Sequence, residues 1–108
     1  MSMSLLEFHV LLALADGALH GWAVAERVTA DSEGGLAPRA GSLYRVIARL
    51  MTAGYVAESR GDAGEAHPGL PRRYYTLTAA GRRALGEEST RLRRAATVAL
   101  KRLGESRS

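Results

Sequence analysis

Two segments that combine Arg and Tyr constrain the fold of this chain more than any other feature. They read Gly-Ser-Leu-Tyr-Arg at residues 41–45 and Arg-Arg-Tyr-Tyr-Thr-Leu-Thr at residues 72–78. The first opens an amphipathic helical pattern, and the second reads as a strand that runs into another helix. A further strand pattern at 55–60 and a loop at 61–71 with three Gly and two Pro lie between them. This order predicts a winged helix-turn-helix, a mainly α fold with a small β-hairpin wing.

Helical spacing and capping residues predict four helices. These cover residues 5–15, 21–30, about 41–53 and 79–103. Ser4 is a candidate N-cap for the first helix, with Glu7 at the capping-box position, and Thr78 is a candidate N-cap for the last. Gly54 suits the left-handed position just past the third helix. We predict a DNA-binding domain at 1–78, followed by a C-terminal dimerisation helix at 79–108.

The first and last helices carry more apolar surface than a chain of 108 residues is expected to cover alone. The first is apolar almost all round, which indicates burial on more than one side. In the last, apolar residues recur at spacings of 7, 4, 3 and 4, as in a coiled-coil seam. We therefore predict a homodimer. The predicted interface residues are Leu5, Phe8, Leu12, Leu85, Leu92, Ala96, Ala99 and Leu103.

Charge is distributed unevenly along the sequence. The formal net charge is +4, yet residues 1–35 hold five acids and one base, whereas residues 72–83 hold four bases and no acid. Fourteen of the fifteen bases are Arg, the better bidentate partner for phosphate and guanine. A GC-rich genome would also raise the Arg content. The position of the bases on the predicted helix-turn-helix and wing nevertheless favours an anionic partner.

The candidate DNA contacts lie on the third helix and the wing. In a helix-turn-helix the second helix of the motif enters the major groove. Arg39 precedes that helix, and Tyr44, Arg45 and Arg49 project from the side opposite its apolar stripe, which comprises Leu43, Ile47, Leu50 and Met51. Backbone N–H groups near Ser42 favour a phosphate. The competing interpretation is a solvated Arg surface on an ordinary helix, and the neighbouring wing favours DNA.

The wing offers two more candidates, Arg72 and Arg73, at its base. Its tip carries Asp62, Glu65 and His67, and the two carboxylates among them would be repelled by phosphate. We therefore expect the arms of the wing, and not its tip, to contact DNA. Neighbouring strand residues face opposite ways, so one residue of the Tyr74–Tyr75 pair is expected to pack in the core while the other faces outward.

Residues that would support an enzyme are few. The sequence has no Cys, and its three His fall in three different predicted elements without metal-ligand spacing. Ser42 has no evident base partner. No catalytic residue, metal or cofactor is therefore predicted. The lack of Cys fits a cytoplasmic protein. The apolar run at residues 5–15 is too short to span a bilayer, so no membrane partner is predicted.

Several segments together resemble the PadR family of bacterial transcriptional regulators. They are Leu-His-Gly-Trp at 19–22, Gly-Ser-Leu-Tyr at 41–44, and Pro-Arg-Arg-Tyr-Tyr-Thr-Leu-Thr at 71–78 followed by Gly81. The resemblance covers about residues 5–85 and is closest to the small subgroup with one C-terminal helix. It implies a homodimeric repressor that binds a palindromic operator until a small effector or stress signal releases it. It also implies that Ser42, Tyr44, Arg72 and Arg73 contact DNA.

The sequence departs from the family pattern at two places. Arg45 stands where the family often has Pro, and the last helix lacks the Trp that small multidrug-binding relatives present to flat ligands. The one Trp of the chain, Trp22, is predicted to pack in or near the core. If an effector binds between the first and last helices, the candidate residues are Phe8, Trp22 and Leu92. The alternative function is a winged-helix adaptor whose Arg surface meets an acidic protein.

Overall fold

The computed structural model describes residues 3–60 and 73–104. The elements follow the order α1 (Leu5–Ala13), β1 (Leu19–His20), α2 (Gly21–Asp31), α3 (Ala40–Thr52), β2 (Val56–Arg60), β3 (Arg73–Leu77) and α4 (Ala79–Leu103). Four helices and a small antiparallel sheet confirm the predicted winged helix-turn-helix, with α2 and α3 as the helix-turn-helix pair. The predicted acidic wing tip, Asp62, Glu65 and His67, lies outside the described residues.

Helix α1 begins with the capping box that the sequence predicts. The Ser4 hydroxyl accepts the Glu7 backbone N–H at 3.1 Å, and the Glu7 carboxylate accepts the Ser4 N–H at 2.7 Å. The helix ends at Ala13, two residues earlier than predicted, because Leu14 leaves helical geometry at φ −91° and ψ 1°. The two hydrogen bonds fix the start of α1, whereas its apolar run continues past its end.

The sheet has three strands in the order β1-β3-β2, not the two of a simple hairpin. The unpredicted strand β1 has two residues and pairs Leu19 with Tyr75 and His20 with Tyr74. Such a short strand leaves no alternation for a sequence pattern to show. Its pairing places the central strand of the wing directly beside the first residue of α2.

The core lies around α1, which contacts each of the other three helices. The largest fully buried side chains are Leu11, Leu14, Leu43, Ile47, Val10, Val24 and Val28. On α3 the predicted stripe is confirmed at Leu43, Ile47 and Leu50, while Met51 is only half-buried and Val46 is buried. Much of the apolar surface of α1 is therefore covered by its own chain, although Leu5 remains exposed.

Thr78 joins the wing to α4 and is fixed on three sides. Its hydroxyl accepts the Gly81 N–H at 3.0 Å, as the predicted N-cap, and donates to the Gly54 carbonyl at 2.6 Å. Its own N–H donates to the Tyr55 carbonyl at 3.0 Å. Gly54 has a φ of 85°, which confirms the predicted left-handed residue after α3. The start of α4 is thus attached to the turn that follows α3.

Among the described residues, none buries a side chain in the second half of α4. Every residue at positions 91–104 is exposed, and the molecule measures 57 Å along its longest axis against 27 and 22 Å across. Exposed apolar side chains along this part include Leu92, Val98, Leu100 and Leu103. Within the described residues, none of the helices has the length and apolar character needed to cross a membrane.

Candidate nucleic-acid interface

The outer side of α3 presents most of the predicted DNA-binding residues together. Arg39 occupies the N-cap position of α3, but its side chain makes no capping hydrogen bond. The first backbone N–H groups of α3 therefore have no N-cap side chain as their acceptor. Arg39, Tyr44, Arg45 and Arg49 are exposed, and Ser42 is half-buried. Leu43 and the other core residues face the opposite way. One helix therefore carries a basic, solvent-facing surface and an apolar, buried one.

Tyr44 packs against α2 and is also partly exposed on the outer side of α3. Its ring lies against Gly21, the first residue of α2: a Cβ at position 21 would overlap the Tyr44 hydroxyl and lie 2.7 Å from Cζ. Yet 46% of Tyr44 remains exposed. Tyr44 thus joins the two helices of the motif, and this contact explains why Gly follows His20. The sequence alone does not predict the contact, since nothing in local spacing connects positions 21 and 44.

The two Arg residues on the outer side of α3 differ in their partners. Arg49 Nε lies 3.4 Å from the carboxylate of Glu7, which is the capping-box residue of α1. Arg45 forms no ion pair within residues 3–60 and 73–104, and neither does Arg39. Of the two Arg side chains on α3, Arg45 is therefore the one that no described carboxylate holds. Arg49 is shared between the outer surface and the start of α1.

The base of the wing places Arg73 on its exposed side. Arg73 Nε lies 3.2 Å from the carboxylate of Glu58 on the neighbouring strand β2. The prediction that one of the two Tyr packs in the core is confirmed at Tyr75, whereas Tyr74 is half-buried against His20. Burial raises the pKa of Tyr75, and the nearby Glu58 adds to that shift while Arg73 opposes it. The predicted contact Arg72 lies outside the described residues.

An aromatic group surrounds the start of α2. His20 Nδ1 accepts the Ala23 N–H at 3.3 Å and so caps the helix. The His20 ring is parallel to Trp22 within 8°, with centroids 6.5 Å apart, and meets Tyr74 edge-on at 6.0 Å. The prediction that Trp22 packs in or near the core is wrong, because Trp22 is 69% exposed. The buried side of α2 is formed by Gly21, Val24 and Val28, and Trp22 lies outside it.

The other predicted sites remain predictions. Of the proposed effector residues, Phe8 packs partly against the core, whereas Trp22 and Leu92 are exposed on α2 and α4. A cleft of about 370 Å³ lies instead beside the start of α3, lined by Leu6, Gly35, Leu36, Ala37, Pro38, Arg39 and Ser42. Leu85, of the predicted dimer contacts, is buried in its own chain and has little surface left for a partner. The described residues contain no cluster of potential metal ligands.

Comparison with known proteins agrees with this architecture. A sequence model of the transcriptional regulator PadR-like family matches residues 10–87, from within α1 to the first turns of α4. A PadR family transcription regulator from Clostridium difficile R20291 superimposes with a TM-score of 0.77 at 18% identity, over 93% of this chain and 99% of that chain. No curated protein sequence gives a significant match.

Two further solved structures share the fold. A PadR family regulator from Eggerthella lenta DSM 2243 has a TM-score of 0.65 at 25% identity and covers 90% of this chain and 81% of its own. Bacillus subtilis PadR in complex with operator DNA has a TM-score of 0.66 at 20% identity, over 78% of this chain and 46% of that chain. The family match spans well over half of the sequence, and the winged helix fold agrees with it. The chain therefore belongs to the PadR-like family of transcriptional regulators.

Proposed function

We propose that this protein binds double-stranded DNA as a homodimer, recognises a roughly palindromic operator and represses transcription until a small-molecule or stress signal releases it. The observation that carries the proposal is the outer side of α3. Arg39 and Arg45 are exposed there without an ion pair among the described residues, and Arg73 is exposed on the wing. A related fold has been solved on operator DNA. Such a role implies a cytoplasmic location.

In this proposal α3 lies in the major groove and Arg45 reads a base. Guanine offers two acceptors that an Arg fork fills together. Arg39 and the N–H groups near Ser42 hold phosphates at the start of the helix, where the helix dipole favours an anion. Tyr44 keeps α2 in register with α3, and Arg49, Arg72 and Arg73 add contacts to the backbone. Base reading is thus assigned to Arg45, a side chain without an ion pair to any described residue.

The homodimer is supported by the unpartnered second half of α4. Leu92, Ala96, Ala99 and Leu103 recur there at coiled-coil spacing, on the part of the helix where every described residue is exposed. Leu5, Phe8 and Leu12 of α1 supply the rest of the proposed contact. Two-fold symmetry would place the two α3 helices about one DNA turn, roughly 34 Å, apart. This geometry is what makes the expected operator palindromic.

Selection of bound duplexes from a random pool tests DNA binding and half-site spacing together. We expect enrichment of inverted half-sites whose centres lie about ten base pairs apart. Affinity for the selected site should fall steeply with salt, since each phosphate contact releases counterions. A pool that yields no enrichment, with a flat salt dependence, would favour the adaptor function.

Arg45 can then be tested against the selected operator. Arg45→Ala should weaken operator binding by about 1–3 kcal/mol and relax the preference at one base position. Arg94→Ala is the matched control, because it removes the same charge from an exposed position on α4. Equal losses in the two variants would mean that Arg45 contributes charge and not base recognition. Release of the operator complex by candidate compounds would identify the effector.

A further inference from the structure

The side chain of Trp22 is exposed to an extent that the fold itself does not require. Its exposed fraction is 69%, and the buried side of α2 is completed by Gly21, Val24 and Val28 without it. Large aromatic side chains gain most from burial, so a Trp held at the surface merits explanation by a partner. One side of the indole ring faces the parallel ring of His20. The rest of the indole faces solvent.

The position of Trp22 is continuous with the proposed DNA surface. The preceding residue, Gly21, is the one on which the Tyr44 ring of α3 rests. His20, which stacks with Trp22, pairs in β1 with Tyr74, the neighbour of Arg73 in the wing. Trp22 therefore projects from the point where α2, α3 and the wing meet. In a helix-turn-helix the first helix crosses the DNA backbone while the second enters the groove.

The chemistry of the indole selects which part of the DNA it would meet. The indole N–H is a single donor and carries no charge, which suits one phosphate oxygen. The ring offers an apolar surface to a deoxyribose. The His20 ring and the α2 cap that His20 provides limit the movement of this side chain, so little conformational freedom remains to be lost on binding.

From this geometry we infer that Trp22 contacts the sugar-phosphate backbone of the operator, flanking the bases that α3 reads. The inference rests on the proposed DNA-binding function. It assigns Trp22 to positioning the protein on the duplex, and not to the core or to an effector site. Being uncharged, Trp22 would add affinity without adding to the salt dependence. Such a contact is also blind to base sequence.

Fluorescence tests the inference on the full chain, because Trp22 is its single Trp. The probe is the operator duplex obtained by selection, and the quencher is neutral acrylamide. Saturating operator should reduce quenching of Trp22 at least severalfold. Trp22→Ala should lower affinity about tenfold for operator and for random duplex alike, with an unchanged salt slope. Trp22→Phe should lose part of that affinity, because it keeps an aromatic ring without the N–H.

Other outcomes would overturn the inference in distinguishable ways. Unchanged quenching in a wild-type protein that binds its operator would remove Trp22 from the interface and leave DNA binding intact. Protection that grows with protein concentration in the absence of DNA would assign Trp22 to contact with a second copy. Protection by an operator-releasing compound alone would assign it to an effector. Wild-type protein without any DNA affinity would instead reject the proposed function.

A second variant separates the contact from folding of α2. His20→Asn keeps a good N-cap residue but removes the ring that stacks on Trp22. We expect a thermal midpoint close to wild type, greater acrylamide access to Trp22 and a several-fold loss of operator affinity. Unaltered affinity together with increased Trp22 mobility would show that the stacked orientation is not used in binding.

Discussion

Glu7 serves two elements at once, because one carboxylate oxygen accepts the Ser4 N–H and the other faces Arg49. Glu7→Gln keeps an acceptor for the capping box but removes the charge that holds Arg49. We expect operator affinity at low salt to rise about two- to fivefold as Arg49 becomes available to phosphate, while the free energy of unfolding falls by about 0.5 kcal/mol. Titration of labelled operator and urea denaturation measure the two effects.

Glu87→Gln is the control for this change, since Glu87 is exposed on α4, away from the proposed DNA surface, and the substitution removes the same charge from a position without a described ion pair. An equal gain in affinity in both variants would attribute the effect to net charge alone. A gain confined to Glu7→Gln would support the view that α1 restrains a residue of the recognition helix.

Gly21 and Tyr44 form a contact that can be tested by substitution. Gly21→Ala places a methyl group where the Tyr44 ring lies. Because Tyr44 is half exposed, we expect its ring to swing away, so the free energy of unfolding changes by less than about 1 kcal/mol. Operator affinity should still fall, because the displaced Tyr44 ring leaves its place on the proposed DNA surface. Denaturation and titration of the same sample separate these effects.

A double-mutant cycle shows whether Tyr44 transmits the change. In a Tyr44→Ala background, Gly21→Ala should cause little further loss of affinity, because the clash is absent. A full additional loss would place the cause elsewhere in α2.

The sequence predicts individual elements well where local chemistry decides them. Ser4 with Glu7, Thr78 and Gly54 mark three helix boundaries, and the α3 stripe identifies its buried side. Strand β1 escapes prediction because two residues carry no period, and it forms only by pairing with the distant strand β3. Trp22 is misplaced because hydropathy favours a Trp over the neighbouring Gly21 for the core. The Arg49–Glu7 and Gly21–Tyr44 contacts require the tertiary structure.

Helix α4 contains two glycines whose surroundings differ sharply. A Cβ at Gly81 would overlap the backbone oxygen of Tyr55 and lie 2.9 Å from its carbonyl carbon, whereas a Cβ at Gly86 would meet nothing within 4 Å. Gly81→Ala should therefore cost about 3 kcal/mol, because backbone atoms cannot yield as a side chain can. Gly86→Ala should instead stabilise the protein by up to about 1 kcal/mol through helix propensity.

Thermal or urea unfolding measures the stability of both variants, and each variant serves as the control for the other. A Gly81→Ala variant as stable as wild type would mean that α4 lifts from the Tyr55 turn without penalty. Loss of stability in Gly86→Ala would reveal a close partner at that position, which the described residues do not supply.

The protein is elongated, and α4 carries the exposed apolar side chains through which we propose that it dimerises. Leu92 is 36% exposed and lies on the half of that helix where every described residue is exposed. If the proposed dimer forms there, Leu92→Glu should raise the dimer dissociation constant by about a hundredfold or more, because a carboxylate would be buried unpaired. Sedimentation at micromolar concentration measures this constant. A monomeric wild-type protein would exclude the proposed dimer.

Arg94→Glu is the control for this substitution. Arg94 is exposed on the same half of α4 and, at helical spacing, lies on the side opposite Leu92, Ala96 and Ala99. It therefore places a carboxylate on the helix without placing it in the proposed seam. A comparable rise in the dissociation constant in both variants would attribute the effect to charge on α4 and not to the apolar contact.

The junction at Thr78 has a mechanical consequence. A single residue separates β3 from α4, and its hydrogen bonds to Gly54, Tyr55 and Gly81 restrain the backbone there. The wing and the long helix must then turn as one lever, with the end of α3 as its fulcrum. A tilt of the far end of α4 would therefore rotate the wing as well, because no hinge lies between them.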